Sequence, residues 1–191
     1  TEVASCTFDE QRRVLDIAQD EIGARLPLVN GVWADGSQEA ARIARGKIQD
    51  IRELKSDSFD ALVLPGGGGV GVNLISWFAD GAKAKVQPEV ERVIREFYEK
   101  QKPICAICIA PALVARVLGS NGVTVTLGAE SEASKEVVKT GALHEVCAAD
   151  DFVTDREHRI VTTPAYMHAD AKPHQLFKGI RGAIFETVEM A

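Results

Sequence analysis

An α/β fold, with a mostly parallel sheet covered by helices on both faces, is predicted by three observations. Short apolar runs alternate along the chain with segments of helical periodicity. The runs are apolar throughout, as strands buried on both faces require. The chain has 191 residues, 46% of them hydrophobic and 26% charged, which suits one domain built around one core.

The elements follow in order. Residues 1–8 read as an opening strand, Thr-Glu-Val-Ala-Ser-Cys-Thr-Phe, without an initiator Met or a leader-like segment. The stretch 16–55 is the least legible. Ala40, Ala41, Ile43 and Ala44 suit a short helix there, and Asn30-Gly31 and Asp35-Gly36 suit turns. Residues 60–65 form a buried strand stopped by Pro65 and four glycines. Val90, Val93, Ile94, Phe97 and Tyr98 recur at spacings of three and four, which predicts a helix over 88–101. A second buried strand covers 103–108, and a helix over 111–118 turns Leu113, Val114, Val117 and Leu118 inward. A strand at 123–127 and a helix at 131–140 come next. Residues 152–155 and 160–163 flank a charged turn and predict a hairpin, and 175–189 predicts a closing helix. In such sheets ligands bind at the carboxyl ends of the strands.

Composition excludes several classes. The balance of 22 basic and 28 acidic residues gives a net charge of −6 and argues against a nucleic-acid partner. The apolar runs fall well short of the roughly 18 residues that span a membrane. Cys6, Cys105, Cys108 and Cys147 are too sparse for a disulfide framework and suit a reducing compartment.

Chemistry concentrates at Ala106-Ile107-Cys108-Ile109-Ala110-Pro111, on a strand-to-helix junction. This is the small-x-nucleophile-x-small pattern of a nucleophile elbow, with Cys108 as the nucleophile. Small residues on either side let strand and helix approach, and Pro111 suits the first turn of a helix. A thiol at a helix N-terminus ionises more readily, and the Ile109 amide is the natural first donor of an oxyanion hole. The competing reading is a buried small hydrophobe. Directly after the strand at 60–65, the cluster Gly66-Gly67-Gly68-Gly69 permits close backbone approach, and the Gly67 amide is the candidate second donor. Taken alone, the cluster reads equally as a flexible turn. It is neither a Walker loop nor a dinucleotide fingerprint, so no cofactor is expected.

The segments Val63-Leu-Pro-Gly-Gly67, Pro103-Ile-Cys-Ala-Ile-Cys-Ile-Ala-Pro111 and Ile160-Val-Thr-Thr-Pro-Ala-Tyr-Met167 resemble the PfpI-like branch of the class I glutamine amidotransferase-like superfamily. That branch includes the Parkinson-disease protein deglycase. Ala41-Arg-Ile-Ala-Arg-Gly-Lys-Ile48 and Asn73-Leu74 narrow the resemblance to the ElbB-type subgroup, known for glyoxalase-like activity and linked to isoprenoid biosynthesis. The resemblance spans nearly the whole chain. It implies one flavodoxin-like three-layer domain over 1–191, a homodimer, Cys108 as the reactive cysteine, and residence in bacterial cytoplasm or the mitochondrial matrix. It also implies that a first strand and helix, carrying a Gly-rich turn and the acidic partner of the cysteine, precede Thr1. That acid therefore maps onto no residue here. Better-characterised relatives carry a His after the strand that follows the elbow helix; here the stretch reads Thr126-Leu-Gly-Ala-Glu130.

Other residues carry two readings each. Cys105 and Cys108 form a Cys-x-x-Cys, but strand alternation turns them to opposite faces and zinc would lack further ligands, so Cys105 reads as core filling and no metal is expected. Cys6 and Cys147 read as structural. Gly66, Gly68, Glu130, Thr163, Pro164 and His168 are candidate pocket residues. Glu130 serves equally as a solvated helix-start carboxylate, whereas for His168, in His168-Ala-Asp170, the surface-histidine reading leads. His144 is a weaker candidate base, His158 reads as solvated in its charged turn, and Trp33 and Trp77 read as packing residues. Three functions stay open. One is a glyoxalase-like enzyme that converts small α-oxoaldehydes such as glyoxal and methylglyoxal to hydroxy acids. Another is a redox-responsive protein with an oxidisable Cys108. The last is a glutaminase subunit with His168 as base.

Overall fold

The computed structural model describes residues 49–191. The expected opening strand, the short helix near Ala41, the two early turns, Cys6 and Trp33 lie outside the described residues.

Strand β1 (Leu62–Leu64) is buried along its whole length and runs straight into Pro65. Strand β2 (Ile104–Ile107) pairs with it in parallel, Leu62 opposite Ile104 and Leu64 opposite Ala106. Strand β6 (Ile160–Thr163) pairs in parallel on the other side of β2, Ile104 opposite Ile160 and Ile107 opposite Thr163. Strand β5 (Val153–Asp155) closes that edge antiparallel to β6, which gives the order β1-β2-β6-β5. The sheet is therefore mostly parallel with one antiparallel edge, and the predicted hairpin is present.

Helix α1 (Trp77–Asp80) is a single turn that buries Trp77. It follows a π-helical turn over Val70–Leu74 that the sequence pattern does not reveal. Helix α2 (Pro88–Glu99) buries Val90, Val93, Ile94 and Phe97 along the expected stripe. Pro88 starts it where the missing N–H costs nothing, and Glu89 and Glu91 complement the positive end of its dipole. Outward, Arg92 pairs with Glu89 and Glu96 and also donates to the carbonyls of Ile51 and Leu54, which fastens the short turn at Ile51–Glu53 to the helix. Helix α3 (Ala110–Leu118) departs from its expected single inner face. Ala110, Pro111, Ala112 and Ala115 are buried along with its aliphatic residues, leaving only Arg116 partly exposed, with its Nε 2.7 Å from the Ala84 carbonyl. Small residues on its second side let it wedge between neighbours. The closing helix, α5 (Pro173–Met190), packs against β6 and β2.

The expected strand at 123–127 shrinks to β3 (Thr124–Val125), which joins β4 (Leu143–His144) in a separate parallel pair beyond α4 (Glu132–Lys139). Side chains replace the ladder where β3 meets the main sheet. The Thr124 N–H donates 2.7 Å to Asp155 Oδ2, and the Thr126 N–H donates 3.0 Å to Thr162 Oγ1. Helix α4 opens on a capping box in which the Ser131 hydroxyl accepts from the Ser134 N–H and the Ser134 hydroxyl accepts from the Ser131 N–H.

His158 is not solvated. It is half-buried, its Nδ1 lies 2.8 Å from Asp155 Oδ2, its backbone N–H reaches Asp155 Oδ1, and its ring stacks on Tyr98. Asp155 thus holds both the hairpin turn and the start of β3. Replacing Asp155 by Ala leaves the Thr124 N–H without its acceptor. Urea denaturation of that variant is expected to show a stability loss of about 1–3 kcal/mol. A midpoint unchanged from wild type would show that solvent replaces the carboxylate.

Candidate active site

The carboxyl ends of β1, β2, β3 and β6 share one edge, and there β2 passes its chain to α3 through Cys108. This residue stands at φ 63°, a left-handed conformation that costs a non-glycine residue about 1–2 kcal/mol. Its amide donates 2.9 Å to the Thr163 carbonyl, which carries the β2–β6 ladder one residue past the end of the strand. Ala106 and Ala110, both wholly buried, provide the small flanks. Ile109 caps α3 and Pro111 sits in its first turn. Cys108 is therefore a left-handed residue at the bend between β2 and α3, 7% exposed.

The glycine turn touches this elbow directly. A Cβ on Gly66 would stand 2.5 Å from the Ile107 carbonyl oxygen, 2.6 Å from the Cys108 Cβ and 3.0 Å from the Ile109 amide nitrogen. Only a residue without a side chain fits that approach. Gly67, at φ 111°, accepts from the Val70 N–H at 3.0 Å, and Gly68 already lies in the helical turn that runs on into the π-turn. The cluster is thus an ordered helix entry that touches Cys108 through Gly66, not a free hinge. Gly66, Cys108 and Ile109 form one contact group, and Gly67 follows Gly66 in the chain.

Thr163 contributes its backbone and not a pocket wall. It is fully buried, and its hydroxyl donates 2.9 Å to the Asp151 carbonyl, toward α5. Pro164 does face the loop after β3: a Cβ on Gly128 would lie 3.1 Å from the Pro164 Cβ and 2.7 Å from His168 Nε2. That Nε2 sits 2.9 Å from the Cys147 carbonyl, so it carries the proton and donates. His168 is therefore no loose surface residue; it clamps the loops after β3, β4 and β6 together. Ala165, at φ 43°, is a second strained residue on this edge, and nothing in an alanine's local sequence signals it.

Glu130 is exposed just ahead of α4. His144 accepts the Leu127 N–H on Nε2 at 3.1 Å, so its proton resides on Nδ1 and the ring serves as a structural acceptor. Burial lowers its pKa and the charge of Glu130 opposes that shift. The other described thiols contrast with the elbow. Burial pushes Cys105 up to about 12, against the effect of its contact with Thr187 of α5. Burial, then Asp151, Glu145 and Asp150, push Cys147 up to about 12. Among the described residues no group of three or more His, Cys, Asp or Glu is placed to hold a metal ion, and no helix is long and apolar enough to cross a membrane.

Two outcomes are expected from this geometry. The methyl of Gly66→Ala meets backbone that no side-chain rotation can clear, so urea denaturation should show a loss of about 1–3 kcal/mol. A variant of unchanged midpoint would mean that the turn and the elbow can separate freely. For His144, protonation at Nε2 breaks the bond to Leu127. Its folded pKa lies below the ordinary 6.5, so the unfolded chain binds more protons as pH falls past that value. The contribution of this ring is complete above the unfolded pKa and is lost as pH drops toward the folded one. His144→Gln should flatten the stability–pH curve in that acid window; a variant curve that falls as steeply as wild type assigns the loss to other groups.

Comparison with known proteins agrees with this architecture. A profile described as the DJ-1/PfpI family matches residues 47–167. The mitochondrial ES1 protein homolog of Rattus norvegicus is 40% identical over 161 residues, covering 80% of this chain and 59% of that protein. The human mitochondrial glutamine amidotransferase-like class 1 domain-containing protein 3 matches with the same identity and coverage. This chain thus spans 59% of the length of those curated relatives. The crystal structure of an isoprenoid biosynthesis protein with an amidotransferase-like domain, from Ehrlichia chaffeensis, superposes with a TM-score of 0.80 at 30% identity, covering 95% of this chain and 91% of that one. The flavodoxin-like sheet, with Cys108 at its strand-to-helix bend and the glycine turn against it, is thus set in a chain that belongs to the DJ-1/PfpI family.

Proposed function

We propose that the protein is a glyoxalase-like thiol enzyme that converts small α-oxoaldehydes to hydroxy acids without a cofactor. The single observation that carries this reading is the positive φ of Cys108 at the entry to α3, with the Gly66–Gly67 turn against it. A residue held at that cost projects its side chain at the end of the sheet, at the positive pole of a nine-residue helix. The helix pole favours a thiolate, and the small aldehydes suit a sulfur only slightly exposed.

The chemistry balances without an oxidant. The Cys108 sulfur adds to the aldehyde carbon, and the resulting alkoxide is stabilised by the amides of Ile109 and Gly67. A base removes the proton from that carbon and returns it to the neighbouring carbonyl carbon, which leaves a thioester of the hydroxy acid. Water then cleaves the thioester, releasing the acid and restoring the thiol. The shuttling base is a carboxylate in the resembled subgroup and is assigned to no residue of this sequence. The ElbB-type placement and a mitochondrial residence belong to the same proposal; the mitochondrial names of the relatives support the second.

The glutaminase reading needs His168 as a proton acceptor beside the sulfur. Its Nε2 instead donates to Cys147, which leaves the aldehyde chemistry favoured. The test is turnover of glyoxal and methylglyoxal by the full-length protein, with Cys108→Ala and Cys108→Ser alongside. Both variants should lose about 10³-fold or more in kcat/KM. Turnover at the wild-type rate in either variant rules the mechanism out. A wild-type protein that turns over neither aldehyde, yet gains oxygen selectively at Cys108 under mild peroxide, fits the redox-responsive alternative instead.

A further inference from the structure

We infer that Thr163 is the positioning residue of the elbow: its buried hydroxyl grips the Asp151 carbonyl and so fixes the backbone oxygen that holds Cys108. The inference rests on the reading of Cys108 as the nucleophile. On the β2 side, Thr163 stands opposite Ile107, and its carbonyl receives the Cys108 N–H at 2.9 Å. That bond lies at the point where the chain must adopt φ 63°. On the β5 side the ladder stops one residue earlier, at Val153 opposite Thr162. Thr163 has no rung there. Its hydroxyl supplies one instead, 2.9 Å to the Asp151 carbonyl. A single residue thus joins the elbow, by its backbone, to the loop ahead of β5, by its side chain.

The closing helix confirms how little play this junction has. A Cβ on Gly179 would lie 2.8 Å from the Ala149 carbonyl oxygen, 3.0 Å from that of Asp151 and 3.1 Å from Thr163 Oγ1. Glycine lets α5 press the hydroxyl bond shut. Gly182, one turn along, meets only the Phe152 ring, 2.6 Å from where its Cβ would stand. Valine has nearly the volume of threonine but cannot donate to Asp151. In Thr163→Val the end of β6 is released, and Cys108 loses the fixed acceptor of its backbone amide.

The readout is the rate of Cys108 alkylation by iodoacetamide as a function of pH, with the labelled peptide identified by mass. Thr163→Val should move the midpoint of that profile upward and slow alkylation at neutral pH by about fivefold or more. Thr163→Ser, which keeps the hydroxyl, should restore the wild-type profile. Gly182→Ala should lower stability and leave the profile in place. Gly179→Ala crowds the same junction from the helix, should shift the profile as Thr163→Val does, and serves where the valine variant does not fold. A wild-type profile in Thr163→Val or Gly179→Ala, a serine variant that fails to restore it, or an equal shift in Gly182→Ala overturns the inference. Alkylation reads the sulfur whether or not glyoxal is consumed, so failure of the aldehyde chemistry and failure of this inference are separate results.

Discussion

The hydrogen bond from the Cys108 amide to the Thr163 carbonyl organises the carboxyl edge of the sheet. It extends the β2–β6 ladder past the strand, so the chain is still locked to the sheet when it makes its turn. A left-handed residue between two rigid elements survives only where its surroundings determine it from several sides. Here the sides are explicit. Gly66 closes on the Cys108 Cβ and the Ile109 nitrogen, Ala106 and Ala110 allow the close packing, and α3 is buried on nearly every face. The wedged helix cannot shift to relieve the elbow without opening the core on both of its sides.

Around that point the edge is built by side chain–to–backbone bonds where the strands have run out. Thr163 reaches Asp151, His168 reaches Cys147, His144 accepts from Leu127, and Thr126 is met by Thr162. Each such bond satisfies a backbone group that the ladder no longer pairs, and each fixes one loop at the mouth of the sheet. The thiols differ in setting. Cys105 and Cys147 lie where a charge is costly, whereas Cys108 stands at the N-terminus of a helix.

The sheet was legible because parallel strands must be apolar on both faces, and 60–65, 103–108 and 160–163 carry that mark plainly. The elbow was legible because its small-residue spacing is a steric requirement. What stayed hidden depends on distant partners. Nothing local in 123–127 shows that Asp155 and Thr162 side chains will take over its hydrogen bonds and shorten it to two residues. His158 reads as solvated until Tyr98 and Asp155 close on it. Thr163 reads as a pocket wall because a strand end faces the site, yet side-chain alternation places its hydroxyl beside Ile107 and toward α5. The π-turn at Val70–Leu74 has no residue pattern of its own.

Strain and rigidity on this edge have a common physical origin. Cys108 and Ala165, two of the non-glycine residues at positive φ among those described, stand side by side at the carboxyl end of one stretch of parallel ladder, just after β2 and just after β6. A parallel pair that ended in free loops would relax both. The loops are not free, because His168 pins the chain after Pro164 to the loop after β4, and α5 presses on Thr163 through Gly179. Holding Cys108 in place therefore requires holding the residues after β6 as well, and the closing helix, far along the chain, is part of what keeps one sulfur at the mouth of the sheet. In this fold the bend at Cys108 is not a loop resting on a scaffold. It is the place where the scaffold's own hydrogen bonds are carried one residue further than the strands allow.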